Sequence, residues 1–355
     1  MIQIIEFIIV FGLFIFLHEF GHFIVAKILK MKVDEFGFGF PPRLVKLFSF
    51  GETEVTLNWI PFGAFVRLHG ENDPEIKDGF EDTSPWARFA VLLGGPALNL
   101  LTGIVLFAMI FIQLGVPNEK LVSVYQVSEN SPAQAAGLQI NDVFVSVNGI
   151  NIDSISVAQQ VIRENAGKQI DIIVNRNGED IVLLATPREN PPAGESYLGV
   201  GITNPYREAT FFEAIPYAAR VTYEQARMLF LIPGMLARGE ITAEQARPVG
   251  PLGIYGIYSQ AREMDESNAG STSPSDTLNT LSIFATISVA LGLTNLLPIP
   301  ALDGGRILFI LPEIFIRKKI PAKYENAINL ISFAALLLLM VFITTLDITN
   351  PVVIP

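Results

Sequence analysis

Residues 4–26 read IIEFIIVFGLFIFLHEFGHFIVA, an apolar run close to the roughly 20 residues that a bilayer-spanning helix needs. Near its far end stands His18-Glu19-Phe20-Gly21-His22. On a helix, side chains four apart stack on one face, so both imidazoles can reach a single cation. Glu19 lies beside them, where it can take a proton from water on a Zn2+ ion. A carboxylate at this depth costs about 2.5–3.5 kcal/mol on insertion scales, and a divalent cation nearby offsets that cost. The chain has 3 His and no Cys, so any metal must be held by imidazole and carboxylate. A catalytic zinc takes three protein ligands and keeps one position open. The third candidate is either His69 or Asp303. His69 lies in Arg67-Leu68-His69-Gly70-Glu71, which reads as a solvated polar loop. Asp303 is better placed, at the end of a long uncharged stretch, after two prolines that break the helix and free its carbonyls.

Further apolar stretches at residues 89–116, 277–302 and 327–346 bring the expected spans to four. The 355 residues are 50% hydrophobic and only 17% charged, against about 25% charged in soluble domains. That composition excludes a disordered chain and a coiled coil. The formal charge of −11 repels phosphate and argues against nucleic acid as a partner. No Lys or Arg precedes the first span, as the basic region of a signal peptide would require. Lys27, Lys30, Lys32, Arg43, Lys46 and Arg88 lie between spans one and two. Arg306, Arg317, Lys318, Lys319 and Lys323 lie between spans three and four. The positive-inside rule then puts both basic segments in the cytoplasm, and both termini and the long middle segment outside.

Within that middle segment, residues 118–205 read as a mixed domain. Residues 122–127 alternate as a strand, and Ser131-Pro132-Ala133 opens a short helix ending at Gly137-Leu138. Residues 157–165 are helical, and 170–174 and 180–184 form a hairpin about Arg176-Asn177-Gly178. The string SPAQAAGLQINDVFVSVNG resembles the PDZ signature, in the circularly permuted bacterial order. That resemblance implies a peptide groove at Leu198, Gly199 and Val200, with backbone amides near Leu198 and Gly199 taking a carboxylate and the 200–203 edge pairing with a peptide. Residues 211–237 read as an amphipathic stretch on the outer leaflet, broken at Pro216 and Pro233. Residues 263–276 read as an exposed loop.

Taken with Asn295-Leu296-Leu297-Pro298-Ile299-Pro300-Ala301-Leu302-Asp303-Gly304-Gly305, the first-span motif and the single PDZ-like insert resemble the site-2 protease family of intramembrane zinc metalloproteases, nearest its regulator-of-sigma-E protease branch. The resemblance implies one Zn2+ per chain on His18, His22 and Asp303, Glu19 as the catalytic carboxylate, and Asn295 in contact with substrate. Asn99, in Gly94-Gly95-Pro96-Ala97-Leu98-Asn99, is a second amide able to bind a substrate carbonyl or oxyanion. Residues 36–42 and 59–66 resemble the family's membrane-associated hairpin. Residues 248–254 resemble a family segment to which the sequence assigns no role.

The expected fold is an α-helical membrane protein with four transmembrane helices, a cytoplasmic-side β-hairpin region and an α+β PDZ insert. Its divisions are 1–27 (first helix, zinc motif), 28–88 (cytoplasmic or reentrant β region), 89–116 (second helix), 118–205 (extracytoplasmic PDZ domain), 206–276 (extracytoplasmic amphipathic helix and loop), 277–305 (third transmembrane segment), 306–326 (cytoplasmic loop) and 327–347 (fourth helix). The resemblance implies regulated cleavage of a single-pass transmembrane substrate in the cell membrane, an anti-sigma factor or a signal-peptide remnant, after a first cut by a site-1-type protease. The cut should fall near the cytoplasmic leaflet. A membrane-tethered PDZ sensor with structural zinc is the alternative. A metal transporter is disfavoured, since no inverted repeat is evident and spans two and four are poor in polar groups.

Overall fold

A computed structural model describes residues 2–71, 76–192, 194–271 and 274–352. In chain order come α1 (Ile2–Ile28), β1 (Val33–Phe50), β2 (Thr53–Leu68), α2 (Pro85–Leu114), β3 (Val116–Pro117), β4 (Val122–Val127), α3 (Pro132–Ala136), β5 (Val143–Val147), β6 (Ile150–Asn151), α4 (Ile155–Glu164), β7 (Ile170–Arg176), β8 (Glu179–Ala185), β9 (Val200–Thr203), β10 (Tyr206–Arg207), α5 (Phe211–Ala237), α6 (Pro251–Ser267), α7 (Asn279–Asn295), α8 (Asp303–Ile316) and α9 (Ala322–Thr349). They form two compact units, Met1–Ile110 with Ile215–Pro355, and Phe111–Ala214.

In the first unit, α1 buries Phe7, Phe14, His18, Gly21, His22 and Ala26. These positions are one, three, four or seven residues apart, so they share one stripe. The opposite face exposes Ile2, Ile5 and Ile9, which suits lipid as solvent. Glycines let α1 and α2 approach closely. A Cβ on Gly94 would stand 2.6 Å from the Gly21 carbonyl oxygen, which is contact of the small-residue kind that membrane helices favour. Likewise, a Cβ on Gly292 of α7 would stand 2.9 Å from the Pro96 carbonyl oxygen of α2. The N-terminus of α7 is held by Asp265, whose carboxylate accepts the Asn279 N–H at 2.9 Å and the Thr280 N–H at 2.8 Å.

β1 and β2 pair antiparallel along more than one stretch, so that Phe36 stands opposite both Val66 and Val55, and Gly37 opposite both Phe65 and Thr56. Phe40, Phe48, Phe50 and Trp59 along them are exposed.

Among the described residues, three helices are long and apolar enough to cross a membrane: α1, α2 and, within α9, Lys323–Thr349. The expected third span is instead the 17-residue α7, followed by an irregular stretch over 296–302 through the two prolines. Residues 306–316 of the expected cytoplasmic loop continue as helix α8. Residues 263–267 of the expected exposed loop close α6, and residues 272 and 273 of that loop lie outside the described residues. Pro216 and Pro233 do not break α5, which runs unbroken through both. A proline removes one N–H and crowds one carbonyl, and α5 absorbs both losses.

The 248–254 segment gains a structural role here. Asp347 on α9 accepts the Gly253 N–H at 2.9 Å. A Cβ on Gly250 or Gly253 would stand 2.7 Å from an oxygen of that carboxylate. The glycines therefore admit a carboxylate to the N-terminus of α6, where the helix dipole favours negative charge.

The second unit is built on a sheet in the order β8-β7-β5-β4-β9, with β6 paired to β5. Val122, Val124, Phe144, Ile170, Ile172, Val174 and Leu198 form its core with Ala158, Val161 and Ile162 of α4. Ser131 caps α3 by accepting the Gln134 N–H, and Gly137 closes the helix at φ 83°. The β7–β8 turn places Asn177 and Gly178 at φ 54° and 91°, the left-handed pair that a two-residue hairpin turn requires.

Candidate metal and catalytic centre

α1, α2, β2 and α8 converge on one cluster. α1 supplies His18 and His22, both 8% exposed, with ring centroids 4.9 Å apart and planes at 84°. Asp303 arrives from the far end of the chain as the first residue of α8. Its position depends on the irregular stretch before it. Ala301 takes φ 75°, and side chains on Gly304 or Gly305 would collide with the carbonyls of Leu296, Leu297 and Ile299. The chain thus folds back on itself and aims the carboxylate at the imidazoles.

The His18 Nε2 atom lies 3.0 Å from Asp303 Oδ2. His22 Nε2 lies 3.4 Å from the same oxygen and 3.3 Å from His18 Nε2. Ligand atoms on a tetrahedral zinc with bonds of about 2.0–2.1 Å stand about 3.3 Å apart. The three separations match the edges of such a tetrahedron, and the donors are two nitrogens and one oxygen. The residues present therefore fit a zinc ion, and among the described residues they are the one His/Asp/Glu group close enough to hold a metal. His69 takes no part. Its Nδ1 pairs with Asp34 at 2.9 Å near the end of the hairpin.

Glu19 lies on the same cavity of about 210 Å³ as His22 and Asp303, with Val66, Glu71 and Arg306 also on its walls. Its Oε2 accepts the Val66 N–H of β2 at 3.1 Å. Arg306 and Glu71 pair with each other, which places a compensated charge pair at this cavity.

Three supports escaped the sequence reading. The Val66 amide orients Glu19. The Val91 carbonyl accepts from His22 Nδ1 at 2.7 Å, which aims Nε2 at Asp303. Gly95 faces both rings, and a Cβ there would stand 2.9 Å from His18 Nε2 and closer still to His22. The Gly94-Gly95 doublet was a visible signal, but its partner was not. The two candidate amides separate. Asn99, 1% exposed, places Nδ2 3.4 Å from His18 Nδ1. Asn295 instead turns its Nδ2 onto the Leu291 carbonyl of its own helix at 2.9 Å.

In the second unit, β9 is an edge strand. With α4 it bounds a groove of about 660 Å³, where Tyr125, Gln159, Ile162, Arg163, Val200 and Ile202 lie. Leu198 is fully buried beneath it. The Gly199 N–H, expected to take a carboxylate, donates to the Ser196 carbonyl at 2.9 Å. The Ser196 hydroxyl accepts the Val200 N–H at 2.9 Å and sits 2.8 Å from the Val200 carbonyl oxygen. The loop therefore satisfies its own amides at these two positions.

The model of peptidase family M50 matches residues 6–339. A candidate zinc metalloprotease of Clostridium perfringens is 33% identical over 346 residues, covering 96% of this chain and 97% of its own. The zinc metalloprotease RasP of Oceanobacillus iheyensis is 28% identical, covering 98% and 99%. The regulator of sigma-W protease RasP of Bacillus subtilis is 27% identical, covering 97% and 98%. That last alignment runs over 431 positions, longer than this chain, so the Bacillus protein carries insertions that this one lacks.

Proposed function

Because this chain belongs to peptidase family M50 and is a zinc metalloprotease, we propose that it cuts peptide bonds within the transmembrane segments of other proteins. The observation that carries this reading is the ligand triangle of 3.0, 3.3 and 3.4 Å with Glu19 on the same cavity, its two imidazoles on a helix long and apolar enough to cross a membrane.

His18, His22 and Asp303 would hold the ion. When bound, zinc supplies Lewis acidity toward water and a carbonyl group. Glu19 takes the proton of the attacking water and returns it to the leaving amide nitrogen, held for that task by the Val66 N–H. Asn295 gives one N–H to the Leu291 carbonyl and contacts the substrate with its second N–H or its side-chain oxygen. A helical substrate hides its peptide bonds in its own hydrogen bonds, so a segment must first unwind. The β1–β2 hairpin, with Val66 against Glu19, offers a strand edge to hold that segment extended.

Four spans serve this reading, α7 forming the third with the irregular 296–302 stretch. Irregular backbone at membrane depth is tolerated where it lines a cavity or is buried in protein. The basic segments face the cytoplasm and both termini face out, so the cut falls near the cytoplasmic leaflet. The 118–205 domain is a PDZ fold on the outer side. It admits single-pass substrates already trimmed by a site-1-type protease, an anti-sigma factor among the candidates.

The test is reconstitution of the purified protein in lipid with a model transmembrane peptide. Cleavage by wild type, abolished by Glu19→Gln with one zinc still bound, is expected. Cleavage that survives Glu19→Gln would overturn the assignment. A wild-type protein that holds one zinc tightly yet cuts no membrane peptide would favour a tethered sensor.

A further inference from the structure

Asn99 is buried next to His18, and its side-chain oxygen Oδ1 has no hydrogen-bond partner among the described residues. Its NH2 group faces His18 Nδ1 at 3.4 Å. The two ends of a carboxamide exchange by a half-turn of the side chain and fill the same space. The present orientation leaves Oδ1 without a partner, so the imidazole decides which orientation holds. His18 Nε2 points to Asp303 and His22. For Nε2 to offer its lone pair to a cation, the ring hydrogen must sit on Nδ1. A hydrogen there meets a donor when the NH2 faces the ring and an acceptor when the carboxamide is turned about.

His22 shows the same logic already satisfied, since its Nδ1 meets the Val91 carbonyl, which can only accept. Val91 and Asn99 both lie on α2, eight positions apart and so about two turns along one face.

We propose that Asn99 is a positioning residue whose side-chain carbonyl accepts the Nδ1 hydrogen of His18, so that α2 orients both imidazoles, one through a backbone carbonyl and one through an amide. This replaces the substrate contact expected for Asn99 and rests on the zinc site proposed above.

The experiment measures zinc affinity of the purified full chain by competition with a chromophoric chelator, alongside cleavage of a model transmembrane peptide. Asn99→Leu removes the acceptor, and zinc affinity is expected to fall by about 10- to 100-fold, the usual effect of losing a partner of this kind. Asn99→Asp keeps the acceptor and deletes the NH2, and is expected to hold zinc within about 3-fold of wild type. Should Asn99→Leu fail to fold, Asn99→Ala removes the same acceptor without added bulk and carries the same expectation. If Asn99 instead serves substrate through its NH2, Asn99→Asp loses cleavage while all variants bind zinc as wild type does, and the proposal is overturned. A wild-type protein that binds no zinc would sink the site itself, whereas wild-type binding shared equally by every Asn99 variant sinks only this inference.

Discussion

Gly95 stands where the helix carrying the orienting carbonyl meets the two imidazoles. An added methyl would lie 2.9 Å from His18 Nε2, inside van der Waals contact, and nearer still to His22. The rings are the softer neighbours, so they, more than the backbone, must yield. Overpacking of this kind costs about 1–3 kcal/mol. Gly95→Ala is therefore expected to lower zinc content and abolish most cleavage while shifting the melting temperature by only a few degrees, read by metal analysis beside thermal denaturation in detergent. A variant that keeps wild-type zinc affinity would show that the rings have room to move. At this scale the sequence was legible where spacing along one helix decides the geometry: His18, Glu19 and His22 announce themselves by the i, i+4 rule. Asp303 was legible from its depth and the prolines before it. The Val66 amide and the Val91 carbonyl were not, because backbone groups carry no residue-type signal. Asn99 was noticed as an amide, but its partner could not be read.

Elements were legible where a local pattern is complete. β4 was marked by alternation, and β7 and β8 by the Asn177-Gly178 turn between them. Where the expectation failed, tertiary or membrane context overrode a local rule, as with the two prolines inside α5 and the continuation of α8 beyond Arg306. The start of α5 does follow local rules. Thr210 precedes the helix and Glu213 reaches back to it, accepting the Thr210 N–H and hydroxyl at 2.9 Å each, the carboxylate half of a capping box. The Thr210 N–H first, then its hydroxyl and Arg207, hold the Glu213 carboxyl down at about 2, from an ordinary 4.5. A depressed carboxyl stabilises the folded state above its unfolded value, and that contribution is lost as pH falls through the folded one. The cap should thus be fully present above about pH 5 and fade toward pH 2. Hydrogen-exchange protection of the first turn of α5 is expected to decline across that window in wild type. Glu213→Gln should show lower protection at pH 6 with little further change on acidification. An equal decline in both proteins would place the acid sensitivity elsewhere.

For the whole chain the deciding quantity is the solvent each surface meets. The second unit buries an aliphatic core like that of a water-soluble domain, and its exposed face is mixed. The first unit does the reverse, presenting leucine, isoleucine and phenylalanine outward while burying His18, His22, Asn99 and Arg88. α9 is the extreme case, since no part of its most apolar window is buried, and Leu338 and Val341 are 73% and 63% exposed. In water such a surface would drive association; in lipid it costs nothing, and a charge there becomes the liability. Leu338 lies near the middle of α9, so Leu338→Arg should disfavour insertion by about 2.5–3.5 kcal/mol. That amounts to a drop of roughly two orders of magnitude in the inserted-to-uninserted ratio. Leu338→Ala, which removes the same leucine without adding a charge, should insert almost as wild type does. Resistance to alkaline carbonate extraction reads the difference. If the arginine and alanine variants resist extraction equally, α9 does not meet the hydrocarbon at residue 338, and the fourth span of the proposed topology fails with it.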